Sequence, residues 1–148
     1  MKTFNDIGLN KEILKALGEM GFEKPTPIQA KAIPHLMSSN QDIIASAQTG
    51  TGKTAAFGLP SIHMTKINEK VPQTLVMCPT RELCIQIARD LTNFSTYLPG
   101  LKIVAVYGGA SVDTQVRALR QGAQIVIGTP GRTKDLINRK KLFLSDIK

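Results

Sequence analysis

The residues best placed to do chemistry are Ala47-Gln48-Thr49-Gly50-Thr51-Gly52-Lys53-Thr54. Glycines followed by Lys-Thr at a strand-to-helix junction make a cradle for the phosphates of a nucleotide. Gly50 and Gly52 let backbone N–H groups turn inward, Lys53 brings a point charge to the β- and γ-phosphates, and Thr54 offers a hydroxyl to Mg²⁺. The expected ligand is a nucleoside triphosphate. A generic phosphate loop has glycine where Ala47 stands, but Gly50 to Thr54 keep the Gly-x-Gly-Lys-Thr core. A plain tight turn with a solvated lysine would leave that order unexplained.

Such a loop needs a strand before it and a helix after it. Asp42 to Ser46 reads as a short buried strand, and Gly52 to Met64 has no breaker before Pro60 and starts as a helix. Three further strand-like runs follow, Thr74 to Cys78, Ile103 to Tyr107 and Gln124 to Ile127, each succeeded by a helical segment. From Arg81 to Leu98 the apolar residues Leu83, Ile87, Leu91, Phe94 and Leu98 recur at helical spacing and predict one buried stripe. Val112, Val116 and Leu119 repeat the pattern, with Arg117 and Arg120 on the other side. This alternation predicts an α/β fold with a parallel sheet whose ligands gather beyond the carboxyl ends of the strands.

Three predicted helix starts share one chemistry. Thr26-Pro27, Pro79-Thr80 and Thr129-Pro130 each put a hydroxyl and a proline where a cap and a first turn belong. At Thr80-Arg81 and at Thr129-Pro130-Gly131-Arg132 an arginine accompanies the exposed donors, which suits successive phosphates of a polynucleotide strand. Gly108-Gly109, just past another strand, permits close backbone approach. Each motif taken singly is also an ordinary cap or turn. Gln29 is equally double: as the last member of the capping box Thr26-Pro27-Ile28-Gln29 it would reach back to the Thr26 backbone, and its amide also matches the hydrogen-bonding edge of adenine.

With 148 residues and 42% hydrophobic composition, the chain has the material for one domain with a real core. No apolar run approaches the roughly 18 residues of a membrane span and the start is polar, so the expected location is cytoplasmic. Cys78 and Cys84 lack further Cys or His partners nearby and are expected to be small buried side chains rather than a zinc site or a disulfide. A net charge of +8 points to a polyanionic partner. The run Arg139-Lys140-Lys141 is read as a solvated helix end, and His35 and His63 are given no catalytic role.

Together these pieces resemble the first RecA-like domain of a DEAD-box ATP-dependent RNA helicase, from Phe4 to about Lys148. Gly21-Phe22-Glu23-Lys24-Pro25-Thr26-Pro27-Ile28-Gln29 is similar to the adenine-reading Q motif of that family, and Phe4 stands seventeen residues before Gly21, where the family keeps an aromatic for stacking. The resemblance implies ATP, with Gln29 on the base and the Lys24 carbonyl beside it, and divides the chain into a Q-motif segment (1–30) and a partial RecA-like domain (31–148). Ala47 to Thr54 is similar to motif I, including its alanine. Pro79-Thr80-Arg81-Glu82-Leu83 resembles motif Ia, Gly108-Gly109 the double-glycine element, and Thr129-Pro130-Gly131-Arg132 motif Ib, which line the RNA backbone in the family. RNA is therefore the implied partner, held with little sequence preference, and ribosome-assembly or RNA-decay factors are possible further partners. Thr133 departs from the family's apolar residue.

The chain contains no Asp-Glu pair, whereas the family's Asp-Glu-Ala-Asp motif holds Mg²⁺ and positions the attacking water. Also expected elsewhere are the Ser-Ala-Thr motif and a second domain with arginine fingers, which supply roughly 10³–10⁵ in rate in comparable phosphoryl transfers. The 148 residues are therefore expected to belong to a longer protein, to bind without useful turnover, and to leave an open sheet edge. A binding module without turnover and a DNA-translocating relative are the alternative readings.

Overall fold

The sheet is built from three short apolar runs: β1 (Thr74–Met77), β2 (Ile103–Val106) and β3 (Ile125–Gly128). All pairings are parallel and the order is β1-β3-β2. Ile125 lies level with Thr74 on one side and Ile103 on the other. Every residue of β3 is buried. A central parallel strand is packed on both faces, and Ile-Val-Ile-Gly has no polar alternation to oppose that. The expected α/β fold is thus present, each strand within a residue or two of its sequence-based bounds.

The computed structural model describes residues 2–50 and 52–148. They divide into two compact units, one running up to Met64 together with Asn93–Pro99, the other made of Thr65–Thr92 and Gly100–Lys148.

The second unit holds the sheet. Between its strands run α4 (Arg81–Phe94, whose last two residues fall in the first unit) and α5 (Val112–Arg120), and α6 (Pro130–Asn138) follows β3. Val106, Ala123, Val126, Leu136 and Leu142 form a buried cluster against which Val112, Val116 and Leu119 pack, as their spacing predicted. The long helix is shorter than expected and its stripe is shifted. Leu83 is exposed, and Cys84, Ile87, Leu91 and Phe94 are the buried residues, at steps of three, four and three. Leu98 lies beyond the helix end.

Two buried glutamines satisfy the loops leading into the strands. Gln124 accepts from Lys102 N (2.8 Å) and donates to the carbonyls of Ile67 (2.9 Å) and Gly100 (3.1 Å). Gln73 accepts from Lys66 N and donates to the carbonyls of Lys66 and Glu69, all at 2.9 Å. A buried amide tolerates desolvation only when its donors and acceptor are used, as they are here.

The first unit opens with a single 3-10 turn at Phe4–Asp6, followed by α1 (Lys11–Glu19), α2 (Pro27–Ser38) and α3 (Lys53–His63). Asn10 caps α1 by accepting from Ile13 N (3.0 Å), and the helix buries Ile13, Ala16 and Leu17. The Tyr97 hydroxyl donates to the Glu19 carboxylate, Lys15 Nζ sits 4.3 Å from the Tyr97 ring centroid, and the segment 93–99 is thereby held to α1. His63 Nδ1 accepts from Asn10 N (3.1 Å).

One expected element differs. Asp42–Ser46 forms no strand, and Ile44 is fully exposed. Extended backbone becomes a strand only where a neighbour supplies ladder hydrogen bonds, and among the described residues none pairs with this segment. The apolar run was legible, but its burial depends on a partner strand. Among the described residues no helix is long and apolar enough to cross a membrane.

Candidate nucleotide site and candidate nucleic-acid interface

In the first unit, α3 starts at Lys53 with Gly52 as its cap residue. Gly52 offers no side-chain oxygen to the first-turn N–H groups, which leaves a positive helix end for an anion. Gly50 and Gly52 both take left-handed backbone angles, φ 85° and 84°. A β-carbon at Gly52 would lie 2.1 Å from Gln29 Nε2, so any side chain here would have to displace the Gln29 amide. Lys53 is exposed, Thr54 half-buried, and Ala55 and Ala56 pack inward behind them. Ala47 is half-buried, while Gln48, Thr49 and Gly50 are exposed. Thr51 lies outside the described residues.

Gln29 turns out to do two structural jobs. Its Oε1 accepts from Thr26 N (2.9 Å), which is the predicted capping contact, and its Nε2 donates to the Gly52 carbonyl (3.1 Å). With 1% exposure the side chain fastens the start of α2 to the phosphate loop. Phe4 and Phe22 form an aromatic pair. Phe4 is 3% exposed and meets Phe22 edge to face (6.4 Å, 80°), and Phe22 in turn meets Phe94 (6.0 Å, 74°). Phe22 is 37% exposed, so it presents the accessible aromatic surface and Phe4 lies beneath it. Lys24 is exposed. A triphosphate fits this donor set: an uncapped helix start, two left-handed glycines, a lysine and a threonine hydroxyl.

In the second unit, the turns after all three strands come together. Thr80 Oγ1 accepts from Leu83 N (3.2 Å) and so caps α4. The Arg81 guanidinium lies 5.1 Å from the Tyr107 ring centroid, and a β-carbon at Gly109 (φ 81°) would be 3.5 Å from Arg81 Nη1. Arg132 donates through Nη1 and Nη2 to the Ala110 carbonyl (3.2 and 3.1 Å) and through Nη1 to Gln115 Oε1 (2.9 Å). Gln115 also holds both backbone groups of Tyr107. Pro79, Thr80, Arg81 and Glu82, Gly108 and Gly109, and Pro130 and Gly131 are exposed, while Thr129 is half-buried. Gly128 leaves room for Thr133, whose Oγ1 would be 2.1 Å from a β-carbon there.

Two features differ from the sequence reading. Cys78 and Cys84 are buried as expected, but their sulfur atoms are brought against each other, with Cα atoms 6.2 Å apart. A strand end followed by the first turn of a helix brings residues six apart into the distance range a disulfide needs, which linear spacing did not reveal. Gln115 was missed altogether. Its signal was a polar residue inside the apolar stripe of Val112, Val116 and Leu119, since steps of three, four and seven share a helix face.

A parallel α/β sheet with a glycine-lysine-threonine loop ahead of a helix defines the RecA-like class of phosphate-loop nucleotide-binding domains. Within that class the DEAD/DEAH box helicase family model matches residues 26–148, and the chain belongs to this family. It is 52% identical over 145 residues to the ATP-dependent RNA helicase DeaD of Escherichia coli (strain K12), covering 98% of this chain and 23% of that protein. It is 54% identical over 146 residues to DeaD of Haemophilus influenzae, covering 99% and 24%. The chain thus spans about a quarter of the length of the curated relatives it matches. Among solved structures, a DEAD box protein from the hyperthermophile Methanococcus jannaschii superposes with a TM-score of 0.93 at 42% identity, over 99% of this chain and 39% of that one. S. cerevisiae Dbp5 bound to RNA and ADP BeF3 gives 0.89 at 33% identity, over 100% and 37%.

Proposed function

We propose that this chain is the ATP-gripping and RNA-gripping portion of a cytoplasmic ATP-dependent RNA helicase, with residues 1–30 serving adenine recognition and 31–148 serving phosphate and RNA backbone. The observation that carries this reading is the Gln29 side chain, which bonds both Thr26 N and the Gly52 carbonyl and so couples the base-recognition segment to the phosphate loop. Phe22 offers the accessible ring for adenine, with Phe4 supporting it from below. Lys53 and the α3 start take the triphosphate, and Thr54 takes Mg²⁺. Pro79 to Glu82, Gly108-Gly109 and Thr129 to Arg132 take successive RNA phosphates, a role supported by their convergence through Arg81, Tyr107, Gln115 and Arg132. Ribosome-assembly or RNA-decay factors would be its protein partners.

Binding without turnover is the activity assigned to these 148 residues, because they contain no Asp-Glu pair to hold the metal and the attacking water. Hydrolysis and unwinding are assigned to a protein of the relatives' length that carries this chain. The test is Lys53→Ala in that longer protein, with binding of a fluorescent ATP analogue and RNA-stimulated hydrolysis as readouts. Loss of both with unchanged circular dichroism supports the reading. Unchanged affinity and turnover would remove the phosphate loop from the function.

A further inference from the structure

Beside the proposed RNA turns, the second unit carries a basic cleft that the sequence reading left among solvated side chains. Its volume is about 350 Å³, its floor is Val112 and Val116, and its walls carry Arg117, Arg120, Arg139 and Lys141. Asp113 is the one acidic residue lining it. Arg139 is already engaged, since its Nε bonds Asp135 Oδ1 at 2.9 Å. Arg117, Arg120 and Lys141 take part in none of the ion pairs found among the described residues. Three cations gathered around one concavity repel each other, and an anion seated between them removes that repulsion while gaining charge-assisted hydrogen bonds.

Their convergence comes from the fold. Arg117 and Arg120 share a face of α5 at a step of three. Lys140 takes a left-handed backbone angle, φ 58°, an unusual conformation for a residue with a side chain. Lys141 N and Leu142 N then both bond the Leu136 carbonyl (2.9 and 3.2 Å), and Leu142 enters the core. This reversal after α6 is what brings Lys141 to the cleft beside Arg139. In sequence, Arg139-Lys140-Lys141 is an ordinary charged helix end. In the structure, two of its three cations line a cleft with two arginines from another helix.

We infer that this cleft is an extension of the RNA path, holding phosphates of the strand just outside the segment gripped by Gly108-Gly109 and Thr129 to Arg132. The inference rests on the RNA-binding reading above and adds a site to it. The argument for RNA over an acidic peptide is continuity. Val112 and Asp113, which line the cleft, come two and three residues after Ala110, whose carbonyl Arg132 holds. At about 1.5 Å of rise per residue, Arg117 and Arg120 lie roughly 7–12 Å along α5 from Val112, a distance a few further nucleotides cover at about 3.4 Å each. The cleft has no aromatic in its lining, so it reads charge and not bases, and the contact is independent of sequence.

The experiment is fluorescence anisotropy on the longer protein carrying this chain, with a non-hydrolysable ATP analogue, using a single-stranded RNA of about 6 nucleotides and one of about 20, across a salt series. Arg117→Ala with Arg120→Ala is the test variant. Both residues are exposed and alanine favours helix, so the fold is kept, and circular dichroism checks this. The expected result is unchanged affinity for the short RNA, a loss of about tenfold or more for the long one, and a salt slope for the long RNA reduced by about 1.4, from 0.7 per phosphate. Lys141→Glu should give the same length-dependent loss. Equal affinity of variant and wild type for both RNAs, or equal loss on both, overturns the inference while leaving the RNA reading standing. Displacement of the long RNA's extra affinity by polyglutamate at lower concentrations than by polyuridylate would assign the cleft to an acidic protein segment and overturn it too. If the wild type binds neither RNA, the RNA reading falls and this inference with it.

Discussion

Arg132 donates to Gln115 at 2.9 Å, and through that one contact the start of α6, the face of α5 and the end of β2 become a single rigid junction. Gln115 is 6% exposed, so its amide has little water to fall back on when a partner is removed. The same guanidinium holds the Ala110 carbonyl and thereby fixes the turn that contains Gly108 and Gly109.

Gln115→Leu should therefore take the amide away from the Tyr107 backbone groups and leave Arg132 with the Ala110 carbonyl alone. The expected effect is a loss of about 1–3 kcal/mol in stability and weaker RNA binding with an unchanged salt slope, because no phosphate contact is deleted. Arg132→Ala should weaken RNA binding too, but with the slope reduced by about one unit if the guanidinium also meets a phosphate. Chemical denaturation and salt-dependent anisotropy separate the two. Identical slopes in both variants would make Arg132 a positioning residue only.

Gly52→Ala and Gly50→Ala form a second pair. Both glycines sit near φ 85°, so each alanine incurs roughly 1–2 kcal/mol of left-handed strain. Only the β-carbon at position 52 meets Gln29 Nε2, at 2.1 Å, whereas among the described residues beyond its chain neighbours nothing lies within 4 Å of that at position 50. Gly52→Ala should be the more destabilising of the two and should lower ATP affinity by at least about tenfold, which is 1.4 kcal/mol. Equal effects of the two alanines would mean that the Gln29 contact has no consequence for the loop.

Thr133 Oγ1 is buried with no hydrogen-bond partner among the described residues. Replacing it by valine, nearly the same shape, removes an unsatisfied hydroxyl, and Thr133→Val should raise stability by about 1 kcal/mol. A thermal melt checks this, and a lower midpoint would show that the hydroxyl has a partner in solution.

Asp90 titrates above its ordinary value because burial disfavours its charge, an effect that neighbouring Arg89 partly opposes. A carboxyl whose pKa is higher in the folded state is stabilised in its protonated form. Its favourable contribution is therefore complete below the unfolded value near 3.8 and is lost as pH rises through the raised folded value. Asp90→Asn should stabilise the chain at about pH 7 and give little difference at about pH 3, read from denaturation midpoints. A variant no more stable at neutral pH would contradict this.

Several features could be read from residue order because local rules determine them. The glycine turn ahead of α3 follows from Gly50 and Gly52, the cap of α2 from Thr26 and Gln29, and the parallel α/β fold from three β-branched runs separated by helical stripes. Each depends on backbone geometry within a few residues or on a periodicity of side chains. What required the tertiary structure was long-range. The exposure of Ile44 depends on whether another strand lies alongside, the burial of Phe4 depends on its packing with Phe22, and the approach of the Cys78 and Cys84 sulfurs depends on how the chain turns from β1 into α4. Gln115 becomes a junction and Arg117, Arg120 and Lys141 become a cleft only when α5 and α6 pack on the same core. A side chain's type is encoded where it stands, but its partners are chosen by the chain path, which brings together residues with no proximity in sequence.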